Sequence, residues 1–96
     1  MYEIRKTDQF VRWIDSLRDI RAKARILVRI ERLREGNAGD VRPVGEGVSE
    51  LRIDHGPGYR VYYVMKDGRI VILLAGGSKK TQSKDIELAL SLASNV

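Results

Sequence analysis

The sequence predicts an α+β domain in the order β-α-α-β-β-β-α, its helices packed on one face of a mostly antiparallel sheet. Three observations lead there. Apolar residues recur at helical spacing through the first third of the chain. After Gly39 the pattern changes to period two and to β-forming residues. The turn sequences His55-Gly56-Pro57-Gly58 and Asp67-Gly68 then punctuate the later apolar runs.

Each element has its own signal. Tyr2–Lys6 (YEIRK) is a short first strand. Thr7 suits a helix N-cap and Asp8 suits a first turn. Phe10, Trp13, Ile14 and Leu17 form one apolar face of a helix over about residues 8–18. A second helix covers about residues 20–35 and stops at Gly36-Asn37. Its Ile20, Ile26, Leu27, Ile30 and Leu33 share one side, and Arg21, Arg25, Arg29 and Arg32 form a basic stripe on another, with Arg18 just before. Val41–Val44 is a further candidate strand, which Pro43 places at an edge. Val48–Asp54 directs Leu51 and Ile53 one way and Glu50, Arg52 and Asp54 the other. In the return strand Tyr59–Lys66, Val61, Tyr63 and Met65 face one side, and Arg60, Tyr62, Val64 and Lys66 the other. Arg69–Ala75 (RIVILLA) is almost wholly apolar, the mark of a central strand buried on both faces. Gly76 to Lys80 is expected as a loop, and Thr81 or Ser83 caps a last helix bearing Ile86, Ala89, Leu90 and Ala93 on one face.

Composition narrows the function. Ninety-six residues allow one domain, residues 1–96, with a modest core and little room for a large cofactor. A hydrophobic fraction of 43% excludes general disorder. No apolar run approaches the roughly 20 residues of a membrane span, and MYEIRKTDQF has no signal-peptide core. With no cysteine and one histidine, disulfides, thiolate chemistry and a structural zinc site fall away, which fits a cytoplasmic protein without metal or cofactor. The net charge of +5 points to a polyanionic partner. Most of it lies in residues 1–35, where 10 Lys/Arg face 6 Asp/Glu.

Several cations are candidates for a site, each beside a plainer role. The second-helix arginines suit nucleic-acid phosphates, or equally a solvated face. Arg52 and Arg60 fall on adjacent strands near one turn, so their like charges need an anion or carboxylate between them. Glu50 and Asp54 are available for that task. Lys79 and Lys80 follow a buried strand, where a loop is firmly held, although loop lysines are usually just solvated. His55 is the one side chain of a type whose unperturbed pKa lies near neutrality. Were Arg52, Arg60, Lys79 and Lys80 to converge, they would form a positive pocket suited to metal-free RNA cleavage. In that reaction the 2′-OH attacks the adjacent phosphorus while cations stabilise the phosphoryl oxygens. The base would be His55, a lysine of depressed pKa, or a carboxylate such as Asp85.

ELRIDHGPGYRVYYV followed by VILLAGGSKKTQSKDIELA resembles the RelE/ParE superfamily of toxin–antitoxin toxins, in its HigB-like addiction-module branch. The resemblance implies a RelE-like fold and a toxin neutralised by a cognate antitoxin, meeting operator DNA only through that antitoxin complex. It implies a ribosome-dependent mRNA endonuclease, or alternatively a non-catalytic ParE-like poison of DNA gyrase. Carried over by position, Arg60 matches the arginine that supports the scissile phosphate, Lys79 the second basic residue, and Arg52 a basic position on the preceding strand. His55 is then the candidate base, and Lys80, Lys84, Arg21, Arg25 and Arg29 are candidate RNA contacts. Ser78 and Lys80 replace the Asp and Ser of the usual loop, and Asp85 lies near the place of a tyrosine found in some RNA-cleaving relatives.

Overall fold

The computed structural model describes residues 1–96. The elements are β1 (Glu3–Lys6), α1 (Asp8–Ser16), α2 (Ile20–Arg34), β2 (Val41–Gly45), β3 (Val48–Ile53), β4 (Tyr59–Lys66), β5 (Ile70–Ser78), a 3-10 turn at Lys79–Thr81, and α3 (Gln82–Ala93). Four strands therefore follow the helices, because the edge candidate at Val41–Val44 is a strand. One sheet holds all five in the order β1-β5-β4-β3-β2. Only β1 runs parallel to its neighbour, β5. A tight turn through Asp67 and Gly68 joins β4 to β5; both residues have positive φ, as that dipeptide favours.

Helices cover both faces of the sheet. On one side Phe10 and Ile14 of α1 and Ile26, Ile30 and Leu33 of α2 pack on Leu51, Ile53, Val61, Tyr63, Val71 and Leu73. On the other, Ala89 of α3 packs on Val48, Tyr62, Ile72 and Leu74. The expectation of helices on one face holds for α1 and α2 and fails for α3. The physical reason lies in β5: residues of both parities, Val71 to Ala75, are buried, and a strand apolar on both faces needs cover on both.

Two local readings also change. The buried stripe of α2 is Ala22, Ile26, Ile30 and Leu33, while Ile20 and Leu27 stand exposed. Gly76 and Gly77 are strand residues of β5, paired with Val61 and Arg60. They lack side chains for close packing. A Cβ on Gly76 would lie 2.2 Å from the Trp13 ring, and one on Gly77 would lie 1.8 Å from Asp85 Oδ2. Gly76→Ala is expected to cost about 1–3 kcal/mol by overpacking. Because Trp13 is the sole tryptophan, its emission reports the displacement directly in a denaturant titration.

Candidate phosphate-binding cleft

The α3 face of the sheet carries a buried carboxylate. Glu50 in β3 is fully buried. Its Oε2 accepts hydrogen bonds from the Tyr62 hydroxyl at 3.0 Å and from the Gln82 amide at 2.8 Å. Tyr62 is the cross-strand partner of Glu50, and Gln82 is the first residue of α3. Burial and the adjacent Glu50 carboxylate push the Tyr62 phenol well above its ordinary pKa, so it remains a donor.

Two arginines flank that carboxylate. Arg52 and Arg60 are direct cross-strand partners, the closest placement two like charges can take on a sheet. Arg60 Nε lies 3.9 Å from Glu50 Oε2, and Arg52 Nε lies 4.0 Å from Glu50 Oε1. Glu50 Oε1 and Arg60 Nε are both buried without a hydrogen-bond partner. One buried negative charge thus holds two positive charges together. Of the two carboxylates the sequence offers for this task, Glu50 performs it, and Asp54 is exposed on the cleft wall.

The turn after β3 completes the arrangement. Arg60 Nη1 donates to the Gly58 carbonyl at 2.7 Å, and the Lys79 backbone N–H donates to the same oxygen at 2.8 Å. One carbonyl therefore fixes both the guanidinium and the start of the 79–81 turn. Gly58 has φ +78°, and a Cβ there would approach Arg60 Nη1 to 2.8 Å. Gly58→Ala is expected to cost about 1–3 kcal/mol. That would appear as a lower thermal midpoint, by about 4–8 °C per kcal/mol for a domain of this size.

Arg52, Arg60 and Lys79 line one open cleft of about 370 Å³, with Asp40, Asp54 and the backbone of 56–58 on its walls. Arg60 is almost wholly buried at its floor, and Lys79 is exposed at its rim. A groove along α2 lined by Arg25 and Arg32 shares the walls Ile53 and Asp54 with this cleft. A third groove, lined by Lys80 and Lys84, shares Lys79 with it. The three depressions form one basic track across the end of the sheet.

Not every candidate joins that track through its charge. The Arg29 guanidinium donates to the carbonyls of Arg52, Ala38 and Asp40, so it clasps β3 to the segment after α2 and has little left for a ligand. Arg21 is exposed at the start of α2 and lines neither groove nor cleft. His55 does not line the cleft; its Nε2 lies 3.4 Å from Asp19 Oδ2. Asp19 is the N-cap of α2, and its carboxyl pKa is lowered, first by the Ala22 backbone N–H and then by His55. Asp85 sits apart, accepting from the Thr81 hydroxyl. Sequence reasoning missed Tyr62 and Gln82 as supports of Glu50, and Asp40 as part of the cleft. A polar pair at one register on an otherwise apolar face marks Glu50 and Tyr62; nothing local marks Gln82 or Asp40.

Comparison with known proteins bears on the fold and the family. A protein of Haemophilus influenzae, described as an uncharacterized protein, is 52% identical over 91 residues, spanning 95% of this chain and 92% of that one. A chain of the intact Escherichia coli RelBE toxin–antitoxin complex superposes with a TM-score of 0.66 at 15% identity, covering 81% of this chain and 96% of that chain. A chain of the RelBE2 toxin–antitoxin complex of Mycobacterium tuberculosis gives 0.59 at 24% identity, covering 81% and 98%. At these identities the two complexes establish a shared RelE-like fold. Residues 12–94 match the family described as phage derived protein Gp49-like (DUF891), and the chain belongs to that family.

Proposed function

We propose that this chain is the toxin of a type II toxin–antitoxin module, in the HigB-like branch of the RelE/ParE superfamily, and cleaves messenger RNA on the ribosome in the cytoplasm. The observation that carries this reading is the like-charged pair Arg52–Arg60, held over buried Glu50 and joined by Lys79 around one cleft. Folding places two guanidinium groups and an ammonium around one opening, and the wall carboxylates Asp40 and Asp54 make no ion pair with any of them. A phosphodiester can therefore enter between the cations, and the fork of the half-exposed Arg52 suits two phosphoryl oxygens at once.

In the reaction the 2′-oxygen attacks the adjacent phosphorus, the P–O5′ bond breaks, and a 2′,3′-cyclic phosphate forms. The 2′-proton passes to a base, and O5′ leaves with a proton from an acid. Arg60, Arg52 and Lys79 stabilise charge developing on the phosphoryl oxygens. The proton-accepting carboxylates on the cleft wall are Asp40 and Asp54, whereas His55 faces Asp19. The basic grooves on either side, with Arg25 and Arg32 on one and Lys80 and Lys84 on the other, hold the flanking phosphates and ribosomal RNA. The RelBE complexes among the structural neighbours support an antitoxin as partner. No helix is long and apolar enough to cross a membrane.

The test uses purified protein and one defined message, with and without initiated ribosomes. Cleavage with ribosomes, abolished by Lys79→Ala, is the expected result. Equal cleavage of naked message would remove the ribosome from the mechanism, and intact message in both arms would overturn the nuclease reading.

A further inference from the structure

A second pocket lies beside the cleft. It has a volume of about 500 Å³ and shares Pro57 with the cleft. Ser78, which lines it, directly precedes the cleft residue Lys79. Trp13 and Tyr59 line it as an aromatic pair, their ring centroids 6.4 Å apart in an edge-to-face arrangement. Gln9, Ser78, Thr81 and Asp85 are its polar residues. Asp85 makes no ion pair and accepts one hydrogen bond, from Thr81, on Oδ2, so the carboxylate keeps accepting capacity.

We propose that this pocket is a nucleobase subsite selective for guanine, receiving the base next to the phosphate held by Arg60 and Lys79; the inference rests on the RNA reading above. Unpaired bases are bound by stacking on aromatic side chains and by hydrogen bonds to their Watson–Crick edges, and both elements are present here. The carboxylate sets the selectivity. Guanine presents two adjacent donors on that edge, N1–H and N2–H, which match two carboxylate oxygens. Adenine and cytosine each set a ring-nitrogen acceptor beside the amino donor, and uracil sets its one donor between two carbonyl oxygens. Against Asp85 those acceptors are repulsive.

The sole tryptophan makes the test direct. Four 2′-O-methyl pentaribonucleotides, UUGUU, UUAUU, UUCUU and UUUUU, cannot be cleaved and are titrated against Trp13 fluorescence. UUGUU is expected to quench most and to bind about tenfold tighter than the other three, the discrimination a bidentate contact supplies. Asp85→Asn should level the four affinities while the thermal midpoint is retained, and Lys79→Ala should weaken all four alike. Should Asp85→Asn fail to fold, Tyr59→Leu must weaken all four by loss of stacking. Equal binding of the four by the unmodified chain, with Lys79→Ala still weakening it, would overturn the base pocket and leave the phosphate cleft standing. A guanine preference unchanged in Asp85→Asn, or binding unchanged in Tyr59→Leu, would also overturn it. Absence of binding to all four would overturn the pocket, while the cleft is judged separately by the ribosome assay above.

Discussion

In a translating extract, Arg60→Ala is expected to slow message cleavage by about 10²–10³-fold, the usual effect of removing one positioned donor from a developing oxyanion. Arg60 is buried against Glu50, so this variant also loses stability, and the two effects must be separated. Lys79 separates them. It is exposed and makes no side-chain contact on which folding depends, so Lys79→Ala should alter stability by no more than about 0.5 kcal/mol. Its cleavage should nevertheless fall steeply. Single-turnover rates measured beside thermal midpoints for both variants make the comparison. A Lys79→Ala protein that cleaves at the original rate would contradict the cleft as the reacting centre.

The largest effect on stability is expected at Glu50. Removing one partner of a buried charge cluster leaves the others uncompensated and typically costs about 3–5 kcal/mol. Total stability for a domain is about 5–15 kcal/mol, so Glu50→Ala should come close to unfolding the chain. Three interactions are lost together: the restraint on Arg52 and Arg60, the acceptor of the Tyr62 hydroxyl, and the acceptor of Gln82 that ties α3 to the sheet. Glu50→Gln keeps the shape and the hydrogen-bonding capacity but not the charge, and should fall between. Arg60→Met added to Glu50→Gln should recover part of the loss, because it removes one of the buried charges left unmatched. Urea titrations of the unmodified chain, Glu50→Gln, Arg60→Met and the double variant give the coupling. A Glu50→Ala cost below about 1 kcal/mol would show that the carboxylate does not hold the arginines.

Stability gained from the Asp19 cap depends on pH. Because its carboxyl pKa is lowered in the fold, the contribution is fully present above the unperturbed value of 3.8 and is lost as pH falls through the lowered one. An acid titration followed by helical circular dichroism should show this step diminished in Asp19→Ala.

Local chemistry made most of the fold legible. The Asp67-Gly68 turn, the apolar run of β5 and the alternation in β3 and β4 each specify structure through neighbouring residues alone. The departures arise where a distant contact decides. Gly76 and Gly77 resemble a loop until Trp13 and Asp85 are placed against them. Arg29 resembles a solvated stripe residue until β3 and the segment after α2 together offer it three carbonyls. Leu27 shares a helical wheel with Ile30 but lies beyond the edge of the sheet contact, and is exposed. At the cleft, period-two alternation puts Glu50, Arg52, Arg60 and Tyr62 on one face, so much of the charge cluster is written in β3 and β4. That His55 points to the α2 cap, and that Asp40 reaches the cleft, depend on how α2 and the 38–41 segment lie against the sheet, which no local pattern encodes.

The most direct test is to induce the chain in growing bacteria and map messenger-RNA 5′ ends, with Lys79→Ala expressed at the same level. New 5′ ends inside translated regions, present with the unmodified chain and absent with the variant, are the expected result. Growth arrest with intact messages and an induced DNA-damage response, equal in both strains, would contradict the phosphate cleft and identify a gyrase poison instead.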